Sequence, residues 1–225
     1  MAFYLFLLVS TNLHQIRSTL RLQRRNLSPV HQSRASYLAK TLIVRAQMLK
    51  HRGKIAFYYA SDGELDPSII FKFALGLGKE CYLPVIDRKS KVLFFRRYQP
   101  GTLLLKNRYG IPEPAPSSKH IAAEELDLIL MPLVGFDKKG NRLGMGGGYY
   151  DQTLQPALTQ RKKKPILVGL AHSCQEVLKL SPRPWDVALD MVVTEREIIK
   201  TGKIAVRLPA AAQRSKLRTK GSDQH

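Results

Sequence analysis

A chain of 225 residues and 25.5 kDa with 44% hydrophobic residues is long enough to bury a core without disulfide or metal support. Two cysteines, Cys81 and Cys174, with 15 glycines and 13 prolines in no period, exclude disulfide scaffolds, collagen and low-complexity chains. The formal charge of +20 invites a nucleic-acid reading, but the excess sits at the ends: residues 1–61 hold ten Lys and Arg and no acid, residues 196–225 hold eight against Glu197 and Asp223, and residues 62–195 are close to neutral.

Met1 to Val9 is apolar, but too short to span a bilayer, and it lacks the basic start and small-residue cleavage site of a signal peptide. Residues 1–12 therefore read as an extension of a cytoplasmic protein. Leu13, Ile16, Leu20 and Leu27, then Tyr37, Leu38, Leu42, Ile43 and Leu49, recur at helical spacing. Ser28-Pro29 interrupts them and is itself a start signal, so helices are expected at 13–26 and 29–51. Arg17, Arg21, Arg24 and Arg25 share a broad face of the first. The pattern slightly favours a solvated basic face over a polyanion clamp.

Apolar runs at 54–60, 80–86, 126–133, 165–171 and 190–193 read as buried strands, and 91–98 as a further strand after the turn at Asp87 to Ser90. Helical patterns at 67–77, 150–158 and 174–180 alternate with them, which implies an open, mostly parallel α/β sheet covered by helices. Residues 99–125, rich in Pro, Gly and Ser, read as a long surface loop. The organisation is one domain over 13–207 and a basic, disordered tail over 208–225.

The most informative stretch runs from Pro132 to Asp151, after a strand and before a helix. Gly144, Gly146, Gly147 and Gly148 let the backbone take positive φ and let a ligand approach its N–H groups, which at a helix N-terminus suit phosphate. Arg142 is placed for phosphate oxygens and Asp151 for magnesium. Tyr149 and Tyr150 could stack on a heterocycle, although one of a Tyr pair is usually core. A flexible turn would account for the glycines equally well.

The run Arg142-Leu-Gly-Met-Gly-Gly-Gly-Tyr-Tyr-Asp151, with Gly135-Phe136-Asp137 and Gly140 before it, resembles the signature of the 5-formyltetrahydrofolate cyclo-ligase family, also called methenyltetrahydrofolate synthetase. Ile16-Arg17 through Leu27-Ser28, Gly63 to Asp66, Asn107 to Pro114, and Trp185-Asp186 with Asp190 and Val192 to Thr194 agree in the same order. The likeness covers about Ile16 to Arg196. Leu13 and Gly147 depart from it, standing where the family usually has a basic residue and where some members have lysine.

The resemblance implies a fold of the CoA-transferase and ribose-phosphate-isomerase type. It also implies conversion of 5-formyltetrahydrofolate, free or polyglutamated, to 5,10-methenyltetrahydrofolate with ATP and Mg2+. By the same resemblance ATP is bound by Arg17 and by Arg142, Leu143, Gly144, Met145, Gly146, Gly147, Gly148, Tyr149 and Tyr150. Folate is bound by Tyr59, Glu64 and Met145 through Tyr149, magnesium by Asp151 and Asp186, and Arg142, Tyr149 and Asp151 act in catalysis. A monomer is expected, with no membrane and no nucleic-acid partner. Duller readings remain: Glu64, Asp62 or Ser61 as a helix cap, Trp185 as core, and His172 and Cys174 as packing groups. A basic RNA-binding protein and an inactive folate-binding relative are the alternative functions.

Overall fold

The computed structural model describes residues 12–87, 89–159 and 164–201, so the tail over 208–225 and nearly all of the apolar extension lie outside the described residues. The first two helices are α1 (Leu13–Arg25) and α2 (Pro29–Arg45). Asn12 caps α1 by accepting from His14 N, Arg24 and Arg25 stand in its last turn, and Ser28 caps α2 ahead of Pro29. The second helix stops short of residue 51 because Gln47 turns to positive φ and Met48 N–H closes onto Ile43 C=O at 3.1 Å, which leaves Met48 and Leu49 to enter the core.

Eight strands form one sheet among the described residues. In chain order they are β1 (Lys54–Ala56), β2 (Glu80–Ile86), β3 (Leu93–Tyr98), β6 (His120–Ile121), β7 (Leu128–Pro132), β10 (Ile166–Leu170), β11 (Met191–Val193) and β12 (Ile198–Lys200). The order β12-β11-β10-β7-β1-β2-β3-β6 has five central parallel strands, β11 to β2, with antiparallel strands at both edges. This is the expected mostly parallel sheet. Its parallel strands read as unbroken apolar runs because both faces are covered: α2 and α3 (Ser68–Gly76) pack on one side, α4 (Tyr149–Thr159) on the other.

Three further expectations are corrected. Residues 99–125 are not a loop throughout: β4 (Leu104–Lys106) and β5 (Pro112–Pro114) form a hairpin, β6 joins the sheet edge, and Ala123–Glu125 makes a 3-10 turn. The Asn107 side chain turns the hairpin by accepting from Tyr109 N and Ile111 N, and its prolines sit in a two-stranded ribbon where a missing N–H is tolerated. The helix expected at 174–180 is a single 3-10 turn, Ser173–Gln175, because this segment bonds elsewhere: Gln175 Nε2 donates to Leu133 and Val134 carbonyls and Val177 N to Phe136 O. The strand over 54–60 is hydrogen-bonded only as far as Phe57, and the chain then continues beyond the strand end to build the site.

The parallel order reverses direction between β1 and β7, the place where open α/β sheets leave a crevice beyond their strand ends. From β1 the chain enters the turn Ser61–Glu64. From β7 it enters a two-stranded hairpin, β8 (Gly135–Phe136) with β9 (Arg142–Leu143), and then the glycine loop and α4. Helix α1 closes this end, its Ile16 and Leu20 packing on Val134, Leu143 and Leu180.

Candidate active site

The N-terminal arginines are not a solvated face. Arg24 has no exposed surface, and its guanidinium donates from Nε to Asp62 O at 2.8 Å, from Nη1 to Leu133 O at 2.9 Å and from Nη2 to Asp62 Oδ2 at 2.9 Å. Arg21 joins at 2.7 Å and Arg25 also pairs with Asp62. Burial alone would raise the Asp62 carboxyl, but hydrogen bonds from Arg21, Arg25 and Arg24 outweigh it and take it down to about 2. Asp62 and Gly63 both have positive φ, and a Cβ on Gly63 would meet Arg24 O at 3.0 Å, so the turn lies directly on the end of α1.

Glu64 follows in the same turn. Its Oε2 accepts from Ser61 N at 3.1 Å and its Oε1 lies 3.6 Å from Arg24 Nη2. Burial lifts its carboxyl to about 7, with Arg24 and the Ser61 N–H pulling the other way. Glu64 thus closes its own turn rather than capping the following helix; there Ser68 N donates to Asp66 Oδ1 at 2.9 Å. Tyr58, whose hydroxyl donates to Leu65 O at 2.5 Å, and Tyr150 on α4 both have their phenols pushed up, by burial first and then by the nearby Glu64 carboxylate. Tyr59 is half-buried beside Tyr98, and burial and that neighbour raise its phenol to about 12.

The glycine loop meets this corner. Gly144 to Gly147 are exposed, Gly146 and Gly148 have φ of +104° and +70°, and α4 starts at Tyr149. Arg17 reaches across from α1 and donates to Gly144 O at 2.8 Å, and Met145 Sδ lies 3.9 Å from Arg24 Nη2. Leu143 is buried with Leu20, so it anchors the loop from beneath. Arg142 is nearly buried and committed inside the protein: Nη2 bonds Asp151 Oδ1 at 2.6 Å and Nη1 the Val187 carbonyl. Asp151 Oδ1 also accepts from Val187 N at 3.0 Å.

Beyond the loop, the tip of the β4–β5 hairpin leans onto Tyr149, whose hydroxyl bonds Arg108 Nη2 at 2.5 Å and Tyr109 Oη at 3.1 Å. The bond from Tyr109, and then Arg108, pull the Tyr149 phenol below its ordinary value. On the opposite side Asp186 Oδ2 accepts from Arg183 N at 2.8 Å. Trp185, read from sequence as a core candidate, is half-exposed under the Arg183 guanidinium. Asp62, the centre of the arginine cluster, was weighed in the sequence only as a cap; its place between the acid-free first 61 residues and Glu64 is the one signal that could have singled it out.

The donor set bears on magnesium. The described residues hold no group of three or more His, Cys, Asp or Glu placed for a metal. Asp151, a quarter exposed at the edge of the loop, fits an ion that keeps water and nucleotide phosphates as its other ligands, the usual habit of Mg2+. Asp186 adjoins Val187, which is bonded to Asp151.

Residues 9–195 match the 5-formyltetrahydrofolate cyclo-ligase family. The chain is 40% identical over 177 residues to the 5-formyltetrahydrofolate cyclo-ligase of Haemophilus influenzae, covering 78% of this chain and 93% of that one. It is 38% identical over 181 residues to that of Escherichia coli, covering 80% and 98%. The solution structure of Aquifex aeolicus 5,10-methenyltetrahydrofolate synthetase superimposes with a TM-score of 0.73 at 29% identity, covering 88% of this chain and 97% of that chain.

Proposed function

The chain belongs to the 5-formyltetrahydrofolate cyclo-ligase family, and from that premise we propose that it closes 5-formyltetrahydrofolate to 5,10-methenyltetrahydrofolate at the expense of ATP. The formyl oxygen is a poor leaving group. It attacks the terminal phosphorus of ATP, ADP departs, and the imino-phosphate carbon is then attacked by the neighbouring folate nitrogen. That nitrogen loses its proton and phosphate leaves, so two easy displacements replace one difficult one.

The observation that supports this assignment is the meeting of a polyanion-type backbone loop with a buried carboxylate at the crevice between β1 and β7. Gly144 to Gly148 and the N-terminus of α4 offer N–H groups to the ATP phosphates. Arg17 fixes the loop through Gly144 O while remaining partly exposed toward the same phosphates. Glu64 accepts from the N–H groups of the pterin, with Tyr150 near it, Met145 on the other side of Arg24, and the half-buried Tyr59 earlier in the same segment. Tyr149, held by Arg108 and Tyr109, screens the reacting atoms from water. Arg142 orients Asp151, and Asp151, with Asp186 in support, would hold Mg2+ against the nucleotide. When bound, the ion supplies charge neutralisation to the phosphates. We propose a cytoplasmic monomer; none of the described helices is long and apolar enough to cross a membrane.

The RNA-binding alternative is weakened by the commitment of Arg21 and Arg24 to Asp62. Purified protein supplied with both substrates and magnesium should release one ADP per folate closed. ADP release unaffected by the folate would overturn the assignment.

A further inference from the structure

Of the charged groups in the crevice, Arg24 alone spans three segments of the site. It lies at the last turn of α1, has no exposed surface, and reaches the Asp62–Glu64 turn, the end of β7 at Leu133 O, and Met145 of the glycine loop. A guanidinium is a planar fork with five donors, and these targets fan around it as such a fork requires. A lysine in its place would keep the charge but reach one or two of them. Burial of a cation at this cost of desolvation is not needed to hold α1, which already packs through Ile16 and Leu20.

We propose that Arg24 is a positioning residue: it orients Glu64 as an ionised hydrogen-bond acceptor for the folate and ties that acceptor to the glycine loop. The proposal rests on the assignment of Glu64 to the folate given above. Asp62 is its counterpart, neutralising Arg24 while setting a second negative charge beside Glu64. The remaining groups that face Glu64 are Tyr58 at the end of β1 and Tyr150 on α4. The buried His172 lies beside the same turn and is held below its ordinary pKa by burial first, with Arg24 acting in the same sense against Glu195 and the Gly63 backbone. Burial moves the two tyrosines up and the histidine down, each toward its neutral form, which leaves Arg24 and Asp62 as the charged groups beside Glu64. They act in opposite directions, the cation favouring the carboxylate and the anion opposing it.

That opposition gives a readout that loss of packing would not reproduce. The full-length enzyme and its variants Arg24→Lys, Arg24→Met, Asp62→Asn and Glu64→Gln are compared by the pH profile of kcat/KM for 5-formyltetrahydrofolate at saturating ATP. The wild-type profile should fall on its acid side as Glu64 gains a proton, and Glu64→Gln should lose that limb. Arg24→Met should move the limb upward by about one pH unit or more, as expected for removal of an opposite charge within reach. Asp62→Asn should move it downward. Arg24→Lys should keep the limb near its wild-type position while raising KM for the folate severalfold. Should Arg24→Met fail to fold, the Asp62→Asn and Arg24→Lys profiles decide. A limb present in wild type and absent in Glu64→Gln, yet unmoved by Arg24 and Asp62 substitutions, overturns the role of Arg24. A limb untouched by Glu64→Gln overturns instead the assignment of Glu64 to the folate.

Discussion

The Ser61–Glu64 turn is held by a guanidinium with no exposed surface, by two further arginines on Asp62 and by its own Ser61–Glu64 bond, whereas Gly144 to Gly147, which meet it through Met145, are all exposed. One wall of the crevice is therefore set before any ligand arrives and the other is left open. A folate ring has fixed donors that demand a fixed acceptor, while a triphosphate can be wrapped by backbone N–H groups that settle around it. The contrast matches the two proposed substrates.

The fixed wall depends on α1, so the largest effect is expected from Leu20→Ala. Leu20 is fully buried, and its Cδ1 lies 2.5 Å from where a Cβ on Gly135 would stand. The substitution should lower unfolding free energy by about 3 kcal/mol in urea titration and raise the KM for folate along with it. Next comes Asp151→Ala, which should cut kcat about a hundredfold or more. Since it strands the nearly buried Arg142, some thermal stability should be lost as well, which Asp151→Asn would spare in part.

Glu64→Gln should weaken folate binding about tenfold, near the value of one charge-assisted hydrogen bond, and ATP binding much less. It carries a second signature. Burial holds the Glu64 carboxyl at about 7 in the fold against 4.5 ordinarily, so its ionisation opposes folding as pH rises from the lower value to the higher. Glu64→Gln should therefore melt a few degrees above wild type at pH 8, roughly what 1 kcal/mol gives a chain of this size, and no higher at pH 4. Asp62 has the reverse sign: held down to about 2, it stabilises above 3.8 and loses that as pH falls through 2. The smallest effect is expected from Gly146→Ala. Its φ of +104° strains any side chain, yet the nearest atom, Arg17 Cζ, is 4.0 Å from the new Cβ. The KM for ATP should rise a fewfold, and the backbone strain should lower melting by a few degrees at most.

How much of this was legible follows the same division. The parallel core could be read because strands covered on both faces leave apolar runs, and the two N-terminal helices because their apolar residues recur at helical spacing and Ser28-Pro29 marks the start of the second. The glycine loop could be read because backbone freedom is written in the residue type. The β4–β5 hairpin was missed because its turn is made by the Asn107 side chain within a Pro-rich run, and the helix expected at 174–180 does not form because long-range bonds from Gln175 replace local ones. The fixed wall was the least legible part. Periodicity gives Arg24 a helix face but cannot show that Asp62, distant in sequence, neutralises it in the interior, and a pattern of arginines looks the same whether it meets water or a buried carboxylate.

The most direct test of the assignment is near-ultraviolet absorbance of 5-formyltetrahydrofolate mixed with the full-length protein and magnesium, recorded before and after ATP is added. Growth of the methenyl product's band only after ATP is the expected result. A spectrum unchanged by ATP, from protein shown to be folded and to bind the folate, would contradict it and leave a folate-binding protein without ligase activity.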